Sequence, residues 1–326
     1  MKRRHVLTAL CASPVAWTLP ARAQPAPARI GYLPPGTPQS HGAYLPTFLR
    51  GLAEDRLVEG RDFTIDLRYA EGHLDRVPAI VAELIAEPVA VLVVGSTIAG
   101  LAAKRATTRI PVVFVGGDEP VSAGLVDSLG HPGGNVTGIS LYSTEIMGKR
   151  LDMLMGLLPS YTGVVGVLLN PVNPNGQADA RQLSEVVQQR GRQLAIYEAS
   201  DDKGIDAAFA DMEGKQIVEL IVSSDPFLNA RRQKIVDLSA RQRIVTNYPQ
   251  REYVVAGGLF SHGVRYADAY RQAGVYAGRI LGGTNPADLP VLQPTAFELV
   301  LNMTAAKAIG LDPGASLLAG ADEIVE

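Results

Sequence analysis

Short apolar runs alternate along this chain with longer stretches whose apolar residues recur at helical spacing. ARIGYL (28–33) predicts a strand, and AYLPTFLRGLAEDRLV (43–58) a helix with Tyr44, Phe48, Leu52 and Val58 near one face. FTIDLRY (63–69) alternates strictly, Phe63, Ile65, Leu67 and Tyr69 against Thr64, Asp66 and Arg68, as a strand with one solvated side does. A helix over 74–88 precedes VAVLVVG (89–95), apolar throughout and therefore expected to be buried on both faces. A helix over 96–107 and a second buried strand over 110–116 follow.

After a glycine-rich stretch, HPGGNVTGIS (131–140), the alternation restarts. Helices are predicted over 143–159, 176–191, 202–214, 229–242 and 266–283, and strands over 163–169, 193–199, 216–222, 243–247 and 258–263. Alternation on this scale implies parallel sheets with helices on both faces, and two runs imply two doubly wound α/β lobes. Ligands of open parallel sheets sit beyond the carboxyl ends of the strands. Here those ends carry Gly95-Ser96-Thr97, Gly116-Gly117-Asp118, Asn170-Pro171-Val172-Asn173 and Ser223-Ser224-Asp225, so two facing lobes would enclose a polar cleft.

Composition narrows the class. The 326 residues are 47% hydrophobic and 19% charged, which predicts a folded protein of two domains. The net charge of −3 offers no concentrated basic surface, so nucleic acid is not an expected partner. Residues 1–23 read as a secretory leader: Lys2, Arg3 and Arg4, an apolar segment from Val6 to Leu19, then Ala21-Arg22-Ala23 before Gln24. The apolar part is too short, and too interrupted by Pro14 and Pro20, to span a bilayer. The Arg3-Arg4 pair leaves general and twin-arginine export both open. Cleavage after Ala23 removes four basic residues, Cys11 and Trp17, and leaves a Cys-free chain of net charge −7 in an oxidising compartment, the periplasm.

The chemistry present suits binding better than turnover. No GxGxxG opens a helix, and neither a Walker motif nor a GxSxG elbow occurs, so no cofactor and no catalytic residue is expected. His41, His73, His131 and His262 lie beyond helical reach of one another, and no metal site is expected. Ser96 or Thr97 reads as the N-cap of a helix, or as the anion-binding edge of a site. Asp118 and Asp225 each stand before a proline-locked turn and read as turn formers or as receivers of a ligand ammonium. Phe227, Tyr248 and Phe260 read as core or as pocket wall.

Several stretches resemble the substrate-binding proteins of ABC transporters, in their tryptophan/tyrosine-type group: EGRDFTIDLRYAEGHLDRVPAIVAELI, ATTRIPVVFVGGDEPVSAGLVDSLGHPGGNVTGIS, LLNPVNPN, REYVVAGGLFSHG and PADLPVLQPTAFELVLNMTAAKAIGL. The likeness runs from Arg29 to Glu326, and PGGNVTG (132–138) and GADEIVE (320–326) are its most specific parts. It implies the type I periplasmic-binding-protein fold, two α/β lobes on a three-segment hinge, with crossings near 139–143, 247–254 and 284–292. Lobe one is then expected at 28–140 plus 255–284, and lobe two at 144–247 plus 291–326. Carried over by position, the ligand-binding residues are Ser96, Thr97, Asp118, Asn173, Asp225 and Tyr248. The expected role is a monomeric periplasmic component of an importer, which captures an amino acid or an aromatic or branched carboxylate and delivers it to a permease in the inner membrane. A periplasmic sensor feeding a membrane receptor is the alternative, and a small-molecule isomerase a more distant one.

Overall fold

The structure, a computed structural model, describes residues 26–116, 119–141, 146–293 and 296–326. The leader lies outside them, as does Asp118. Five strands form the first sheet: β1 (Ala28–Leu33), β2 (Phe63–Leu67), β3 (Val91–Val94), β4 (Val112–Gly116) and β5 (Val136–Ser140), in the order β2-β1-β3-β4-β5 and parallel throughout. The all-apolar β3 shows why the run predicts a two-faced strand. Val91 and Val93 join a core with Phe48, Tyr270 and Ala273, while Leu92 and Val94 join another with Val77, Ile80, Ala99 and Ala103. Successive side chains alternate across a strand, so helices on both faces demand apolar residues at every position. Each such side chain contributes about 1.5–3 kcal/mol on full burial.

Seven strands form the second sheet: β6 (Val164–Leu169), β7 (Gln193–Glu198), β8 (Glu219–Val222), β9 (Val245–Tyr248), β10 (Phe260–Val264), β11 (Phe297–Asn302) and β12 (Glu323–Val325), ordered β12-β11-β10-β9-β8-β6-β7. Val165, Val167 and Leu169 point into a core with Met147, Leu151 and Leu183, and Leu168 into one with Phe209 and Ile235. β11 runs antiparallel to β10, where the alternation predicts parallel strands. The difference follows from the connection: the chain leaves β10 for the first lobe and re-enters the second sheet at the end it left, so Phe297 at the start of β11 pairs with Val264 at the end of β10.

That connection also corrects the expected boundaries. β10 pairs with β9 through Phe260↔Asn247 and Ser261↔Tyr248, so it belongs to the second sheet although 255–284 was expected in lobe one. The second crossing therefore falls between Val264 and Tyr266, not near 247–254. The helix Tyr266–Leu281 does lie on the first sheet, against the helix Leu45–Glu54. The two helices touch through glycines. A Cβ on Gly274 would stand 2.1 Å from the Phe48 carbonyl oxygen, and one on Gly51 2.0 Å from that of Arg271. The chain returns along Val291 and Leu292, which hydrogen-bond to Leu129 and Gly138, before entering β11.

Candidate ligand-binding cleft

The carboxyl ends of the central strands in both sheets face one another across a cleft of about 500 Å³, its opening to solvent included. Lobe one lines it with Pro35, His41, Ser96, Thr97 and Val115; lobe two supplies Asn173, Ser224, Asp225, Asn229 and Gln250. Tyr266 stands between them at the second crossing. Among the described residues that line the cleft there is no lysine or arginine.

The tip after β3 uses its two hydroxyls differently. Ser96 is the N-cap of the helix Thr97–Ala106, its Oγ accepting from Ala99 N at 3.1 Å. Thr97, 3% exposed, has a buried Oγ1 with no hydrogen-bond partner. Gly116 at the end of β4 makes room for it, since a Cβ there would stand 2.4 Å from Thr97 Oγ1. So the capping role falls to Ser96, and the free hydroxyl at the helix N-terminus is that of Thr97.

The tip after β8 is organised around Asp225. Its Oδ1 accepts from Leu228 N at 2.8 Å and caps the short helix Pro226–Ala230. Its Oδ2 accepts from Asn173 Nδ2 at 2.8 Å and from Asn170 Nδ2 at 3.2 Å. Burial pushes the Asp225 carboxyl up from its usual range, and these hydrogen bonds pull it back down. A carboxylate so surrounded binds the tip after β6 to the tip after β8, and its lone pairs are spent on protein donors. Asn173 is brought to the cleft by this contact, its amide oriented by the carboxylate behind it.

A buried guanidinium supports the same edge. Arg150, 1% exposed on the helix Ile146–Leu157, donates to the carbonyl of Val222 at 2.6 Å and to that of Asn247 at 3.3 Å, and also to Asn247 Oδ1. It ties the ends of β8 and β9 together. Burial lowers its pKa to about 10, opposed by the Asp179 carboxylate, and it stays charged at neutral pH.

Tyr248 is not among the cleft residues. It is 1% exposed in β9 and stacks on Tyr253 at 5.0 Å within a lobe-two core. Burial raises its hydroxyl to about 12. A strand-end position does not choose a face; here the face chosen is the core. Phe227 and Phe260 are core residues as well.

The structure adds cleft residues that strand ends do not reveal. Asn229, 1% exposed, has neither Nδ2 nor Oδ1 paired. Gln250 lies near the Tyr266 hydroxyl, and its Oε1 is buried with no hydrogen-bond partner. The Tyr266 hydroxyl is also 2.9 Å from Ser224 Oγ. His41 is 4% exposed, with Nδ1 2.8 Å from Ser40 Oγ, and burial lowers its pKa to about 3, so it is neutral at physiological pH. The signal for Asn229 was its place one helical turn after Asp225, to whose carbonyl its backbone N–H donates at 2.9 Å.

With this geometry in hand, the chain matches the family described as ABC transporter substrate binding protein over residues 40–325. It is 26% identical over 272 residues to a tyrosine-binding protein of Clostridioides difficile (strain R20291), covering 81% of this chain and 75% of that one. A conserved domain protein of Vibrio cholerae has a similar structure, at a TM-score of 0.85 and 25% identity, covering 91% of this chain and 99% of that one. So does an ABC domain from Streptococcus pneumonia solved with L-Trp, at a TM-score of 0.82 and 24% identity, covering 91% of this chain and all of the other (100%).

Proposed function

This chain belongs to the ABC transporter substrate-binding protein family, and from that premise we propose that it captures a free amino acid between its lobes and hands it to a membrane permease. One observation carries the reading. Buried polar atoms without partners come from both lobes and meet in one cleft: Thr97 Oγ1 from the first, the Asn229 amide and Gln250 Oε1 from the second. Each is costly to leave unpaired, by about 1–3 kcal/mol. A solute that bonds to both sets at once favours the closed arrangement over an open one, which is what drives lobe closure. The N-terminus of the helix Thr97–Ala106, with Thr97 Oγ1, suits a carboxylate. The acceptors of Gln250 and Asn229 suit an ammonium. The names of the relatives make L-tyrosine and L-tryptophan the first solutes to try.

In this reading the leader is cleaved after Ala23, the mature protein works as a monomer in the periplasm, and no bond of the solute is broken. Protein recovered from the periplasm should begin at Gln24 and bind L-tyrosine or L-tryptophan in a calorimetric titration, with a smaller radius of gyration by X-ray scattering once saturated. Saturable binding without any change in scattering would remove the clamp. Failure to bind any of the twenty amino acids would remove the solute class.

A further inference from the structure

Asn229 lies one turn into the helix Pro226–Ala230, 1% exposed, and it lines the cleft beside Asp225 and Gln250. Both ends of its amide are unpartnered. This makes the demand on a ligand independent of how the amide is turned, because either orientation presents one unused donor and one unused acceptor. Its neighbours are unlike it. Asn170 and Asn173 give their Nδ2 groups to Asp225, and Asp225 gives its remaining capacity to Leu228. Gln250 leaves its buried Oε1 as an acceptor without a partner.

We infer that Asn229 is the specificity-determining contact of the cleft, pairing with a solute group that sets an N–H donor next to an acceptor oxygen. The head group of a zwitterionic amino acid and an uncharged primary amide both meet this demand; a simple carboxylate does not. A carboxylate without an amine would leave Asn229 Oδ1 and Gln250 Oε1 unpaired, with no cationic side chain among the described lining residues to offset the loss. Sites built to hydrogen-bond a donor reject the analogue that lacks it for this reason. Asp225 is then a positioning residue, which holds the tip that carries Asn229 and orients Asn173. The inference rests on the reading of the cleft as an amino-acid site.

The test is a cycle of two probes on two proteins, read by calorimetry: L-tyrosine and 3-(4-hydroxyphenyl)propanoate, its analogue without the amine, on the mature protein and on Asn229→Leu. The mature protein should prefer L-tyrosine by about tenfold or more, and Asn229→Leu should weaken L-tyrosine by about 10- to 100-fold. The preference for the amine should shrink in the variant. The ligand-free variant should melt at or above the parent temperature, because removing an unpaired buried amide relieves a cost. A variant with parental affinity, or an undiminished preference for the amine, sinks the inference alone. So does a lowered melting temperature with L-tyrosine affinity intact. A parent protein that binds neither these probes nor any other of the twenty amino acids overturns the amino-acid reading and this inference together.

Discussion

The Tyr44 hydroxyl donates to Glu252 Oε1 at 2.8 Å, from the first lobe to the second. Tyr44 is 3% exposed, and its ring lies nearly parallel to that of Tyr270 with centroids 4.8 Å apart, so the donor is held rigidly. Neither residue lines the cleft. A second bond across the lobes, from Arg232 Nη2 to the Gln39 carbonyl at 3.2 Å, stands beside it. Bonds of this kind favour closure without touching a solute, and they set how much of the binding energy closure consumes.

Tyr44→Phe keeps the ring stack and deletes the interlobe bond. Apparent affinity should fall by roughly 2- to 12-fold, the equivalent of about 0.5–1.5 kcal/mol. Calorimetry with whichever amino acid binds the parent protein provides the measurement. An unchanged Kd would show that the bond exists only as a bystander of closure.

Asp225→Ala removes a helix cap and leaves two buried amides without an acceptor. Destabilisation of about 2–5 kcal/mol is expected from the cap and the orphaned donors together. Affinity should fall as well, since Asn173 loses its anchor. Chemical denaturation alongside calorimetry separates the effects. Lost affinity at parental stability would put Asp225 in direct contact with the solute after all.

Gly274→Ala inserts a methyl group where the Phe48 carbonyl oxygen would be 2.1 Å away. Backbone on the facing helix must move, at a cost of about 1–3 kcal/mol or more. Thermal melting should show it, and the solute Kd should change little if the cleft edge of lobe one keeps its shape. A melting temperature equal to the parent's would mean that the helix pair slides freely.

His41 and His262 are held neutral by burial, with pKa values lowered to about 3 and about 4. The unfolded chain binds those two protons near pH 6.5 and the folded chain only well below it. Unfolding therefore takes up protons in this window, and stability is full above about pH 6.5 and falls as pH drops toward 4, by at most about 2.7 kcal/mol per pH unit. The raised carboxyls of Asp225, Glu219 and Glu298 act oppositely at the acid end, where the folded state holds protons that the unfolded state has released. His262→Phe should flatten the slope by up to one proton in urea titrations between pH 4.5 and 6.5. An equally steep slope in the variant would assign the acid lability elsewhere.

The sequence by itself determined the strand-helix alternation, the two-lobed α/β class and the polar carboxyl edges that line the cleft. Those features depend on local period and on turn chemistry, and both are written within a dozen neighbouring residues. Val91–Val94 is apolar at every position, as a strand covered on both faces requires. Tertiary structure decided which edge residues remain free to bind. Asp225 and Ser96 have the residue types of ligands, but Asp225 is occupied by amides 52 and 55 positions away and Ser96 by its own helix. Tyr248 turned into the core because its strand presents that face to the helices behind it. Asn229 keeps its side-chain amide unused at the cleft because no protein group hydrogen-bonds to it. The side of β10 was decided the same way, by long-range pairing with β9. Hydrogen-bond partners drawn from distant segments leave no periodic trace, so a chain can show where its site lies without showing which polar atoms are still unpaired there.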